Sequence, residues 1–523
     1  MSDIKKRCSW FFKNKLYMSL TIVIAIAAYG YEITHAVVGV DDICIRRYFT
    51  CGVGYGIGPA NGRWPYFFLS QMGILGLDMY IPFLADFAAV LLLICASVCW
   101  CALFQRIFSR HNVNINIWCY IVFTGFYISH SMIAYVFIYY LHNGIAIAHL
   151  CIAITILLWD DAKYCSNHKI LRSVTIVGLL TVAISFYESF TAVFILGLCI
   201  YWGIQEFYMK SKIIEYIKEI IRMCVTLVMA IISRSIICII LGKIYNIPIG
   251  VSKASIAETI WKENIGGTIS NMYHILKLNY GEYMYIQNIK QNPIMMLDLA
   301  FGIVCFFALF LTIKQKNVLH LFHAGIAIGS LFIMSVFTGK VVYQRSTQNM
   351  ALFIGFAYFL IVNYAIYRKK YFQILVAVVL MVLEWNNLCT MNFLFYSESK
   401  NNERDIAVIN DIGNRILSIG GEYKAVAFVG DYPYLRSVDF NRISGVAYPS
   451  IHQNIIRWGE NAFENGNREL IHFFVLNGYW IDEVNEKQFE EAKEIAYDLP
   501  EYPLEGCIQD EGDYIIVKLG PLD

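Results

Sequence analysis

Apolar residues recur along this chain in runs too long for the interior of a soluble helix. Eleven of them are long enough to cross, or nearly cross, a bilayer core, which takes about 20 residues of helix. They are Tyr17–Val38, Tyr80–Phe104, Ile115–His130, Gly144–Trp159, Ile170–Phe186, Ser189–Gln205, Arg222–Leu241, Ile294–Ile313, Val318–Phe337, Asn349–Tyr367 and Tyr371–Met391. Charges inside the runs are few, chiefly Glu32, Asp86, Arg234 and Glu384. Ser131–Asn143 is itself apolar; it extends the third or fourth run or lies in the membrane interface. The pattern predicts a polytopic α-helical membrane protein of about eleven transmembrane helices.

The polar punctuation between runs orients them. Lys5, Lys6, Arg7, Lys13 and Lys15 precede the first run, which is too long for a signal-peptide core and has no small-residue cleavage site before Asp41. It reads as a retained anchor. With the N-terminus cytoplasmic, the inner connections carry Arg106 and Arg110, Lys163 and Lys169, Lys210, Lys212 and Lys218, Lys314 and Lys316, and Arg368, Lys369 and Lys370. The short outer connections at 131–143 and 187–188 carry no Lys or Arg, although the outer loop at 338–348 holds Lys340 and Arg345. That asymmetry predicts a cytoplasmic N-terminus and an extracytoplasmic C-terminus. The long outer loops are 39–79 and 242–293; in the second, Gly267–Leu278 has helical apolar spacing suited to lying on the outer leaflet.

After Met391 the pattern changes. Asn402–Ser418 reads as an amphipathic helix, Ala425–Gly430 as a buried strand, Glu486–Ala496 as an exposed acidic helix, and Gly506–Leu519 as a hairpin around an Asp-Glu-Gly turn. Two domains follow: 1–397 in the membrane, and 398–523 as a small extracytoplasmic α/β domain for acceptor recognition or stabilisation. It contains no Gly-rich phosphate loop and no CxxC pair.

Composition narrows the function classes. A chain that is 58% hydrophobic and 15% charged is not a soluble globular protein, and a net charge of +1 offers no footprint for nucleic acid. Most of the fifteen cysteines lie in apolar runs as small hydrophobes; Cys44 and Cys51 form a close pair outside a span that a disulfide would suit. Cys95, Cys99 and Cys101 have no histidine or carboxylate companion, and His130, His142 and His149 have no sequence-local carboxylate, so no metal site is expected.

The distinctive stretch is Gly39–Trp64. Asp41 and Asp42 stand where the first run stops, followed by Arg46 and Arg47, a glycine-rich segment and Gly62-Arg63-Trp64. Carboxylates at the mouth of a membrane helix belong at the water interface, and nearby cations keep them ionised or hold a phosphate. A polar collar that merely ends the helix is the plain alternative. On the same outer side fall Tyr187 and Glu188, between two apolar runs, and Gln344 and Arg345. Glu188 has no basic neighbour in sequence, so a hairpin turn with its carboxylate in water competes with a functional reading.

In combination these segments resemble the serotype-converting O-antigen glucosyltransferases of the Gtr type II group. The likeness rests on the N-terminal anchor, Val40-Asp41-Asp42 followed by Arg46-Arg47, the Gly/Tyr-rich segment and Gly62-Arg63-Trp64. Phe186-Tyr187-Glu188-Ser189 adds to it, with Glu where that family usually has Gln, as does Tyr343-Gln344-Arg345. The resemblance implies a GT-C-like fold, a polyprenyl-phosphate-linked sugar (glucose) as donor, a surface polysaccharide as acceptor, and the bacterial inner membrane as location. Asp41 or Asp42 would then be the general base, Asp42 favoured as the residue nearer the glycine-rich loop. Arg46, Arg47, Arg63 and Arg345 would neutralise the departing lipid phosphate, and Trp64, Tyr187, Glu188 and Gln344 would complete the substrate site. Direct displacement inverts the anomeric centre, and no cofactor is called for; Mg²⁺ has no sequence support. Two rivals are a lipid-linked glycan polymerase or ligase, usually built on an arginine-rich outer loop without the Asp pair, and a transporter or flippase, which needs more charge within its spans.

Overall fold

The structure is a computed structural model that describes residues 2–35, 62–71, 82–137, 142–164, 168–208, 213–245, 270, 272–274, 277, 296–338, 346–430, 432 and 467–522. These form two compact units, one built from described residues up to Asn392 and one carried by Phe393–Asp523.

The first unit is helical. In chain order it contains α1 (Ser2–Lys13), α2 (Lys15–Thr34), α3 (Trp64–Gln71), α4 (Pro82–Arg110), α5 (Ile117–Ile128), α6 (Ser131–Phe137), α7 (His142–Tyr164) and α8 (Lys169–Phe186). There follow α9 (Phe190–Tyr208), α10 (Ile213–Tyr245), α11 (Met296–Gln315), α12 (Leu319–Ser330), α13 (Ile333–Thr338), α14 (Asn349–Ala365) and the start of α15 (Lys370–Ser418). Among the described residues seven helices are long and apolar enough to cross a membrane: α2, α4, α7, α8, α10, α11 and α15. Four shorter apolar helices accompany them, including α9 and α14. Each of the eleven apolar runs is helical over most of its described length. Within the bundle α4 packs chiefly on α7, α7 on α8, and α14 on α5.

Three runs differ in detail from their predicted form. Val318–Phe337 is not one helix: α12 ends at Ser330 and α13 begins at Ile333. Gly325, Gly329 and Ser330 weaken the helix there, and Asn349 Nδ2 donates to the released Ser330 carbonyl at 2.8 Å. Ser131–Phe137 is a separate helix, because α5 stops where Ser129 Oγ turns back to the Gly125 carbonyl at 2.8 Å. The seventh run begins nine residues earlier than predicted, at Ile213 rather than Arg222. Its added turns set Glu219 and Arg222 against Trp159: the indole N–H donates to Glu219 Oε2 at 3.1 Å, and the Arg222 guanidinium lies 4.0 Å from the ring centroid. Of Gly267–Leu278, residues 270, 272–274 and 277 are described and helical.

One end of the bundle carries a charged cluster. Arg106 and Arg110, expected in a loop, are on the last turns of α4. Arg106 Nη2 meets Asp161 at 2.8 Å and its Nε meets Asp160 at 3.3 Å, while Arg110 grips Asp160 with both terminal nitrogens. Arg172 joins Asp161 at 3.0 Å and Asp3 approaches Arg106 at 3.4 Å. The side chains of Asp160 and Asp161 are essentially inaccessible. Charges so deep persist only because they are mutually paired.

The second unit begins on α15, a single helix that contains the boundary anticipated at 397. The helix ends where the Gly420 and Gly421 N–H groups return to the carbonyls of Leu417 and Ile416. Then come β1 (Ala425–Val429), α16 (Arg468–Leu476), β2 (Asp482–Glu483), α17 (Glu486–Ala496), β3 (Ile508–Asp510) and β4 (Tyr514–Lys518). The sheet order is β2-β1-β4-β3; β1 runs parallel to β2 and β4, and β3 pairs antiparallel with β4 as the predicted hairpin. Strand alternation sorts the core. Val426, Phe428, Ile515 and Val517 face Ile409, Ile412 and Ile416 of α15 and the apolar side of α16. Ala427, Val429, Tyr514 and Ile516 face Phe489, Ala492 and Ala496 of α17. Asn485 starts α17 with a reciprocal capping box to Gln488.

Candidate active site

Of the residues singled out from sequence, Asp41, Asp42, Arg46, Arg47, Gln344 and Arg345 lie outside the described residues, as do Cys44 and Cys51. Arg63, Trp64, Tyr187 and Glu188 are described. Glu188 and the backbone just before Arg63 are joined by Arg234, a charge isolated within its apolar run, while Arg63 lies over Tyr187.

The turn before α3 is made by Gly62, whose φ of +76° places it in the left-handed region. Its carbonyl accepts a hydrogen bond from Arg234 Nε at 3.0 Å. Nη2 of the same guanidinium pairs with the Glu188 carboxylate. Arg234 thus bridges two segments over a hundred positions apart, which suits a planar fork and not a point charge. A signal for this was present: Arg234 sits in a long apolar helix with no acid at i±3 or i±4, and a cation in that setting needs a partner from elsewhere.

Tyr187 and Glu188 occupy the turn between α8 and α9. The Tyr187 N–H still bonds the Ala183 carbonyl at 3.2 Å, while its own carbonyl and those of Glu188 and Ser189 start α9. The Arg63 guanidinium lies over the Tyr187 ring, 5.1 Å from the centroid. The Tyr187 hydroxyl is 3.1 Å from Ser346 Oγ, so the sequence neighbour of Arg345 is part of the same corner. Arg63 Nε and Trp64 Nε1 are buried N–H donors with no hydrogen-bond acceptor among the described residues. Trp64 sets its ring edge-on to Phe68 at 5.8 Å.

Below this corner Tyr66 is buried, its ring edge-on to Phe186 at 4.9 Å. Desolvation pushes its phenol far above the usual range; Arg63 opposes the rise and Tyr187 and Glu188 reinforce it. Any Cβ at Gly144 would overlap the Tyr66 ring, so glycine at the start of α7 is what lets α3 seat.

Several other polar residues conspicuous in the sequence have structural partners. His149 sits in a buried relay. Gln348 Nε2 donates to the Met132 carbonyl at 3.0 Å, so Gln348 Oε1 faces His149 Nε2 at 3.2 Å. The Nε2 atom must then carry the proton, and the Tyr127 hydroxyl donates to His149 Nδ1 at 2.9 Å. His130 Nδ1 accepts from the Met132 N–H. Glu384 accepts from Ser129 Oγ at 2.9 Å, and Asn387 Nδ2 donates to the Ser129 carbonyl at 2.7 Å. Among the described residues no three His, Cys, Asp or Glu side chains group so as to hold a metal ion.

A family model for the glucosyl transferase GtrII matches residues 30–362. The chain belongs to the GtrII family. The match spans Gly62-Arg63-Trp64, the Tyr187–Glu188 turn, Arg234 and Ser346, so the corner just described lies wholly within the GtrII region. Membership makes the protein a glucosyltransferase, and its long apolar helices make it a membrane one. No curated protein and no solved structure matches the chain significantly.

Proposed function

We propose that this GtrII protein moves glucose from a polyprenyl-phosphate donor to a surface glycan such as O-antigen, on the external face of the bacterial inner membrane. In this reading the eleven apolar helices form a GT-C-type bundle with the N-terminus inside and Phe393–Asp523 outside. The observation that carries it is the corner of Arg63, Tyr187, Glu188 and Arg234, to which Ser346 brings the chain next to Arg345. There a cation with an unsatisfied, buried N–H lies over the tyrosine of a helix-hairpin turn, a suitable receiver for a phosphate oxygen.

The chemistry is a direct displacement. The acceptor hydroxyl oxygen bonds to the anomeric carbon while the bond from that carbon to the donor phosphate oxygen breaks, its electron pair leaving with polyprenyl phosphate. The hydroxyl proton passes to a carboxylate of the Asp41–Asp42 pair. Adjacent residues point to different sides of a helix or strand, so one aspartate is the base and the other supports it. Arg63, with Arg345, Arg46 or Arg47, balances the charge developing on the phosphate, and Arg234 keeps Glu188 from taking Arg63 as its own counterion.

The test uses purified full-length protein, a polyprenyl-phosphate glucose and a glycan acceptor. Asp42→Asn is expected to lower transfer by about 10²–10⁴-fold with membrane insertion intact, and Asp41→Asn by less. If neither substitution slows transfer, the carboxylate pair is a collar and the base is elsewhere, Glu188 being the next to replace.

A further inference from the structure

A cavity lies away from the corner, toward the end of the bundle that carries Lys314, Lys316 and Arg368. It is a partly open cavity of about 100 Å³ between α9, α11, α12 and α14. Its walls are mostly apolar, with Ile200, Phe307, Leu311 and Phe353 among them. Among the described residues no Lys, Arg, Asp or Glu lines it; the imidazoles of His320 and His323 and the amide of Asn363 supply its polarity.

His323 sets this cavity apart from a packing defect. The residue is 5% exposed, and neither ring nitrogen has a hydrogen-bond partner among the described residues. A neutral imidazole offers one donor and one acceptor, and leaving both idle in an apolar setting is costly. His320, by contrast, is engaged by Gln315 Oε1 at 3.2 Å. The ring of Tyr216 stands edge-on to His323 at 4.5 Å, and Trp202 stands edge-on to Tyr216 at 5.5 Å. The Tyr216 hydroxyl and the Trp202 N–H are likewise buried without a partner among the described residues. Unused hydrogen-bonding capacity is therefore concentrated beside one end of an otherwise apolar cavity.

We infer that this cavity binds one chain of a membrane lipid whose head is an uncharged hydrogen-bonding group, a hydroxyl or an ester carbonyl, seated against His323. A phosphate or carboxylate head is disfavoured because, among the described residues, no Lys or Arg lines the site. Apolar cavities of comparable size hold small hydrocarbon groups in place of water, so the cavity takes the portion of chain next to the head and the remainder leaves through the open side. The surrounding helices include membrane-crossing α11, which puts lipid chains within reach as the natural source. This inference does not depend on the transfer reaction or on the residues assigned to it.

The experiment is photolabelling of the purified full-length protein with a long-chain alcohol bearing a diazirine near its hydroxyl. Saturable labelling on peptides of α12 or α14 is expected, displaced by excess unlabelled alcohol but not by the corresponding alkyl phosphate. Ala327→Phe fills the cavity and should cut that labelling at least fivefold; His323→Leu should weaken labelling by the alcohol but not by a diazirine alkane. Labelling that does not saturate, or that the alkyl phosphate displaces equally well, overturns the proposal, as does labelling indifferent to both substitutions. Should Ala327→Phe not fold, the wild-type competition and His323→Leu decide the matter alone.

Discussion

The lock between Gly62 and Arg234 can be tested by adding a single carbon. In Gly62→Ala the new Cβ meets the Arg234 guanidinium, with Cζ at 2.8 Å and Nη2 nearer still. Two costs follow. An alanine held at φ +76° loses about 1–2 kcal/mol to left-handed strain. The guanidinium must also swing aside, giving up the bond to the Gly62 carbonyl and the pairing with Glu188. A charge-assisted hydrogen bond is worth about 1.5–3 kcal/mol when well buried, but the Glu188 side chain is 42% exposed, which brings the pair nearer to about 1 kcal/mol. The sum is about 2–4 kcal/mol, centred on the turn that presents Arg63. In an Arg234→Ala background the overlap is gone and only strain remains, so the two substitutions should be non-additive by about 1–2 kcal/mol. Expressed in transfer rate this is a factor of about five to thirty. The assay is glucosyl transfer by the four proteins of the cycle, with thermal unfolding in detergent to show that each is folded. Equal penalties for Gly62→Ala in both backgrounds would refute the lock.

Three other outcomes are expected. Arg63→Lys keeps the charge but loses the planar face set over Tyr187, and transfer is expected to fall about tenfold or more, measured in the same assay; an unchanged rate would remove Arg63 from donor recognition. Asp161→Asn removes the carboxylate that Arg106 and Arg172 share while Arg106 keeps Asp160, and thermal unfolding should report a loss of about 1.5–3 kcal/mol, whereas a stability within error of wild type would mean that the cluster contributes little. Cysteine labelling from outside should reach positions near 50, 345 and 450, and from inside positions near 110, 212 and 369; a C-terminal unit reached only from the cytoplasm would separate it from the proposed reaction face.

What could be read in advance follows the range of the forces involved. Helix positions follow from local apolar runs, and the strand at 425–429, the helix at 486–496 and the terminal hairpin follow from local alternation and turn chemistry, so these emerged from the bare pattern. Breaks were harder. The interruption at Ser330 depends on Asn349 supplying a donor from another helix; Gly325 and Gly329 weaken the helix nearby but do not by themselves fix where it breaks. The early start of α10 depends on Trp159, far upstream, offering a face to Arg222 and an N–H to Glu219. At the site, Arg63, Trp64, Tyr187 and Glu188 were legible as polar residues interrupting apolar sequence. The role of Arg234 was not, because its partners lie on segments whose approach only the packed bundle defines. Its isolation within an apolar helix was the signal, and it pointed to a missing partner without naming one.

The buried cluster at Asp160 and Asp161 has a consequence for biogenesis. In the proposed topology Arg106 and Arg110 are among the cations whose distribution would orient the helices, and such sorting acts on a nascent chain emerging one segment at a time. When α4 arrives, Asp160, Asp161 and Arg172 have not yet been made. Its arginines therefore lack the aspartates of α7 at the stage when positive charge retains a helix end. Once α7 and α8 follow, the same arginines become internal counterions and are withdrawn from the lipid surface. The topogenic signal is consumed by the fold it establishes, so neutralising Asp160 or Asp161 should leave orientation intact while weakening the finished bundle. Removing the arginines should disturb both.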